Sequence, residues 1–133
     1  MKQAKIDEAA LEQLIPLFYQ RVREDAELGP VFNDIVHDWP EHLEKLIAFW
    51  SSVMLSSGRY KGNPVMAHAL HKSRITPELF GRWLGLWATT TEEVMAPEAA
   101  AALQMKAGRI AESLQLALFF KIDPNFSPSR TAA

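Results

Sequence analysis

The chain contains no cysteine, so disulfides, thiolate metal ligands and cysteine nucleophiles are excluded from the outset. It also lacks a surplus of positive charge: 14 Lys and Arg stand against 16 Asp and Glu, for a formal net charge of −2. Phosphate-binding surfaces need such a surplus, so nucleic acid is not an expected partner. Long apolar runs are missing too. The longest stretch free of charge, Leu46 to Gly58, is too short to span a bilayer and is interrupted by Ser51, Ser52, Ser56 and Ser57. No membrane partner is expected. The opening Met1-Lys2-Gln3-Ala4-Lys5 leads into no apolar segment of a secretory signal, which makes the cytoplasm the expected setting. Period-two alternation is absent, which argues against strands. Nucleophile elbows, Gly-rich phosphate loops and the His-Glu-x-x-His zinc pattern are missing as well. The residues three before the four histidines are Asp34, Trp39, Val65 and His68. None is the glutamate of a di-iron bundle.

What is present is bulk. Four Trp, seven Phe and five Met fall within 133 residues of which 48% are hydrophobic, enough for one domain with a substantial core. Such side chains suit either an ordinary core or a pocket for a large flat ligand. Apolar spacings of three and four recur along the chain and define an all-α domain. Asp7 is positioned to cap a first helix with Leu11, Leu14, Ile15, Phe18 and Val22 on one face. Pro16 is expected to kink or restart it, and Leu28-Gly29-Pro30 to end it. Asp38-Trp39-Pro40-Glu41 opens a second helix, carrying Leu43, Leu46, Ile47, Trp50, Val53 and Met54, with Gly58 as its stop. Asn63-Pro64 opens a short helix to about His71. Thr76-Pro77 opens another with Leu79, Phe80, Trp83, Leu84 and Trp87 inward. Pro97 opens the last, striped by Leu103, Ala107, Ile110, Leu114 and Ala117. Gly81 and Gly85 share one helix face, which predicts a close neighbouring helix. From Asp123 onward Pro, Ser and Thr dominate, so a domain over 1–122 and a flexible tail over 123–133 are expected.

Chemistry falls to the histidines and the polar aromatics. His42 lies one turn before Leu46 and points toward the core. His68 sits in the short helix, with His71 one turn later, and spacing alone does not choose between them. Each also fits an ordinary structural histidine. Tyr19, beside Phe18, and Trp83 carry polar atoms that need partners if buried.

The order of these residues resembles the truncated haemoglobins, specifically their third group, over about residues 7 to 120. Phe18-Tyr19 followed by Leu28-Gly29-Pro30-Val31-Phe32 resembles the family's distal tyrosine and haem-packing phenylalanine. His42, eight residues before Trp50, is similar to its distal-helix histidine. Gly58-Arg59-Tyr60-Lys61-Gly62-Asn63-Pro64, then His68, resembles the approach to the iron-ligating histidine, and Arg82-Trp83-Leu84 the motif that supplies a distal indole N–H. The sequence has no Gly-Gly pair, whereas the first two groups carry paired glycines.

The resemblance implies a shortened globin, a two-over-two helical sandwich around haem b. His68 would be the proximal iron ligand, and Tyr19, His42 and Trp83 would face the ligand on the distal side. Phe32, Leu46, Phe49 and Tyr60 would wall the pocket, with Lys61, Lys72 and Arg74 as candidates to meet the haem propionates. Neutral imidazole is a good fifth ligand for haem iron. Donors aimed at a polarised diatomic from an apolar pocket act strongly. The implied function is reversible binding of O2, CO or NO at a five-coordinate iron. An alternative is an enzyme for nitric oxide dioxygenation or peroxide turnover, which would need an external reductase. A further alternative is a helical interaction domain without a cofactor.

Overall fold

A computed structural model describes residues 2–119; the expected tail at 123–133 and the 1–122 boundary lie outside them. Six α-helices make up most of the described chain: α1 (Glu8–Glu24), α2 (Leu28–Ile35), α3 (Trp39–Leu55), α4 (Pro64–Ala69), α5 (Pro77–Val94) and α6 (Pro97–Phe119). One turn of 3-10 helix, Lys72–Arg74, follows α4. The described residues contain no strand, only an isolated bridge between Gln3 and Met95 that ties the N-terminal segment to the α5–α6 corner.

Four helix starts follow from their caps. The side chains of Asp7, Asp38, Asn63 and Thr76 accept from the backbone N–H three residues on, at 2.8, 3.1, 3.2 and 3.3 Å. Each such bond stabilises a helix start by about 1 kcal/mol. In α3, α4 and α5 a proline follows in the first turn, where its missing N–H costs nothing. The stop of α3 comes earlier than Gly58: the helix ends at Leu55, and Ser56 adopts the left-handed conformation at φ 56°.

Three expectations need correction. Pro16 does not restart α1, which runs unbroken to Glu24. Pro16 leaves the Glu12 carbonyl without its helical donor, but Glu12 faces solvent, where water can satisfy it. The buried set Ala10, Leu11, Leu14, Ile15, Phe18, Tyr19 and Val22 holds the helix together around it. Leu28-Gly29-Pro30 does not merely end α1; it is the first turn of α2. The Asp25 carboxylate accepts from the N–H groups of Glu27 and Leu28 at 3.0 and 2.9 Å. Gly29 is then required for a close approach, since a Cβ there would stand 2.5 Å from the Arg23 carbonyl oxygen. Lastly, Gly81 and Gly85 meet no neighbouring helix. Both are exposed, and among the described residues a Cβ at either would touch nothing within 4 Å.

The helices form two crossed layers. α1 packs on α3 in one, α5 pairs with α6 in the other, and α1 meets α5 between them. Contacts between Phe80 and Phe119 and between Trp87 and Leu103 run α5 and α6 antiparallel. The layers are joined at Trp87, which is fully buried. Its indole stacks on Trp50 of α3 at 4.6 Å and on Trp83 at 5.4 Å, and meets the edge of Phe18 of α1 at 4.9 Å. Its N–H donates to the Leu103 carbonyl of α6 at 3.2 Å. This is the two-over-two sandwich of a shortened globin.

Candidate functional site

α3 is rich in apolar residues, yet only Trp50 and Ser51 of it are buried. Leu43, Leu46, Ile47, Phe49, Val53 and Met54 pack against the core and stay partly open, as do Leu79 and Trp83 of α5 and Phe32 of α2. α4 buries no residue and packs on α6 rather than on α3. These half-open side chains leave the core incompletely covered along α3, and this open apolar face is the candidate cleft.

The candidate imidazoles are His42 of α3 and His68 of α4. His42 of α3 touches the rings of Trp39 and Tyr19, at 5.5 and 6.3 Å between centroids. Desolvation holds its pKa below the ordinary histidine value, with Lys45 and His68 adding positive potential, which favours the neutral ring. The His68 Nδ1–H donates to the Pro64 carbonyl at 2.6 Å. This bond fixes the tautomer and leaves the Nε2 lone pair available, the arrangement that metal-ligating histidines adopt. His71 is half-buried at the end of the α4 turn, and its ring makes no hydrogen bond among the described residues. Among the described residues, a main-chain carbonyl orients His68 and none orients His71.

Deeper in, Phe18 stands at the centre of an aromatic group, its ring edge-on to Tyr19 at 4.8 Å and to Trp83 at 5.0 Å. Tyr19 is 4% exposed. Burial pushes its phenol above the ordinary tyrosine value, and the Trp83 N–H beside it opposes that only in part. Tyr19 is therefore a protonated donor throughout the neutral range. The Tyr19 O–H itself retains capacity for a further acceptor.

Phe32 lies 5.9 Å from Tyr19. Phe49 meets Tyr60 edge-on at 5.2 Å. Gly62 lets Tyr60 fold over the following loop, since a Cβ there would stand 2.5 Å from the phenol oxygen. The candidate propionate partners are less uniform. Lys61 and Lys72 are exposed, while Arg74 is paired with Asp34 of α2 at 2.8 Å. Trp39 carries no role in the sequence pattern, yet its ring completes a triangle with those of Tyr19 and His42, with the Arg23 guanidinium 4.6 Å above it. The only signal for it was its position one turn before Leu43.

The donor set tests what such a cleft could hold. No group of three His, Asp or Glu among the described residues could hold a metal ion. A single imidazole cannot retain a free metal, but it suits one already held by a flat apolar ligand such as a porphyrin. The residues present fit a haem.

The fold and the cleft together define a globin of the shortened type. The chain is 32% identical over 123 residues to the group 3 truncated haemoglobin ctb of Campylobacter jejuni, an alignment covering 90% of this chain and 96% of that protein. The crystal structure of the group III truncated haemoglobin from Campylobacter jejuni superposes with a TM-score of 0.80, at 30% identity, over 92% of this chain and 100% of the other. The chain belongs to the group III truncated haemoglobins. No protein-family model matches it. No helix of the described residues is long and apolar enough to cross a membrane.

Proposed function

We propose that residues 1–122 form a haem b domain that reversibly binds O2 and related diatomics, CO and NO, at a five-coordinate iron with His68 as its proximal ligand. The observation that carries this reading is the His68 Nδ1–H bond to the Pro64 carbonyl, which directs Nε2 as a neutral donor. Haem, when bound, supplies an iron with one open coordination position for a diatomic ligand.

The side chains around the cleft do the rest. Tyr19 O–H and Trp83 N–H would donate toward a polarised ligand, and the burial of Tyr19 strengthens its donation. Neutral His42 can accept or donate at the same edge. Phe32, Leu46 and Phe49 exclude water, and Tyr60 covers the loop side. Lys61 and Lys72 remain candidates for the propionates, with Arg74 free to join them only by leaving Asp34. The absence of cysteine fits a reducing, cytoplasmic setting.

Haemin reconstitution tests the reading. An intense Soret band is expected for the wild-type chain and for His71→Ala, with loss of proximal coordination in His68→Ala. A colourless wild-type protein would remove the reading, and the reverse behaviour of the two variants would reassign the ligand. The convergence of Tyr19, Trp83 and His42 favours a second reading, since a pocket with several polar groups holds a ligand too tightly for easy release. Rapid mixing of the oxygenated protein with nitric oxide, with an external reductase present, should then yield nitrate catalytically. A single turnover without re-reduction would leave binding alone.

A further inference from the structure

The outer face of α6 takes no part in the cleft and is unusual for a helix surface. Met105 and Leu116 are 61% and 53% exposed, and Arg109 and Glu112 between them are exposed as well. Steps of four, three and four residues keep these side chains within a stripe about 60° wide. Neither Arg109 nor Glu112 enters an ion pair among the described residues.

The order along the stripe is apolar, positive, negative, apolar. Turned end for end, it reads apolar, negative, positive, apolar, which is its own complement in both charge and hydrophobicity. We propose that this stripe is an isologous self-association surface, occupied by α6 of a second copy of the chain lying antiparallel to the first. A two-fold axis at the level of Ile110 and Ala111 sets each Met105 against Leu116 of the second copy, and each Arg109 against its Glu112. Only an identical partner is matched by this symmetry, because every contact must be made twice with the roles exchanged. The surface is also shaped to receive a side chain. A shallow depression lined by Leu84, Gly108, Ala111, Glu112, Gln115 and Leu116 opens on this face, where Met105 of the second copy would arrive. Methionine is flexible enough to fill so irregular a site. Exposed Gly81 and Gly85 keep the neighbouring α5 surface low.

One helical stripe covers less than the roughly 800 Å² per partner of a standard stable complex. The dimer is therefore weak and governed by concentration.

Sedimentation of the haem-loaded full chain from low micromolar to near-millimolar concentration tests the proposal. The average mass should climb from monomer toward dimer across that range. Arg109→Glu and Glu112→Arg should each weaken association by about tenfold, by setting like charges opposite each other. The double exchange, R109E with E112R, should restore it. Leu116→Lys should abolish it, with an unchanged Soret band and helical circular dichroism showing that the fold survives. A mass that stays monomeric throughout would overturn the proposal, as would a dimer indifferent to either single reversal or a double exchange no better than the singles.

Discussion

Tyr19 shows how much of the site is decided at single residues. Its hydroxyl is a donor because the ring is buried among Phe18, Phe32 and Trp39, where the phenolate is disfavoured. Tyr19→Phe keeps the ring and removes the donor. A buried hydrogen bond to a partly charged acceptor is worth about 1.5–3 kcal/mol, so oxygen release should accelerate by about ten- to a hundredfold. Stopped-flow ligand displacement reads this directly, and an unchanged off-rate would deny the role. A second residue-scale prediction concerns Asp25, whose carboxyl is held down to about 2 by the Arg82 guanidinium at 2.6 Å and by two backbone N–H groups. The folded value lies below the unfolded one, so this contribution is complete above about pH 4 and disappears as the pH falls to about 2. Asp25→Asn should flatten the loss of stability across that window in urea titrations at stepped pH. At this scale the sequence was informative about residue types and poor about orientation. His68 and His71 look alike in spacing, and only the Pro64 carbonyl tells them apart. Arg74 reads as a free cation until folding brings Asp34 beside it.

Helix starts were legible at the scale of elements because each is written in a local bond from one side chain to one backbone N–H. The misread elements depend on surroundings. Pro16 costs α1 about 3 kcal/mol as an interior proline, yet seven buried side chains repay that through packing no local pattern displays. Pro30 looked like a stop, although a proline in a first turn is equally a start; the Arg23 carbonyl that demands glycine at 29 became visible only in three dimensions. Gly81 and Gly85 gave the opposite error, since small residues on one face signal a neighbour only where the face is buried. A network that no motif announced secures the loop leading to α4. The buried Ser51 hydroxyl donates to the Glu8 carboxylate, Arg59 pairs with the same carboxylate, Ser57 lies 2.7 Å from Ser51, and the Tyr60 N–H donates to Ser52 at 2.8 Å. Glu8→Ala should lower stability by about 1–2 kcal/mol. It should also speed amide exchange at residues 57–60 more than in α5, and uniform acceleration would show that the network does not act locally.

At the scale of the whole molecule, Trp87 lies fully buried where the two layers cross. Trp87 contacts α1 and α3 through its rings and α6 through its N–H. Trp87→Ala should therefore cost about 3–5 kcal/mol, the upper range for a buried aromatic, as a shift in the denaturant midpoint. Trp83→Phe, on the partly open side of the same stack, should cost far less stability while still altering ligand release. Similar losses from both would mean that the core and the cleft are not separable.

The short bond between the fourth helix and its own first residue has a consequence for how tolerant this protein is of mutation. The atom that steers the imidazole is a main-chain oxygen, and every amino acid carries one. Substituting the side chain at position 64 leaves that oxygen in place as long as the helical turn forms. What evolution or an engineer could damage is the turn itself, whose start rests on Asn63; the aim of the histidine is inherited from the backbone's path.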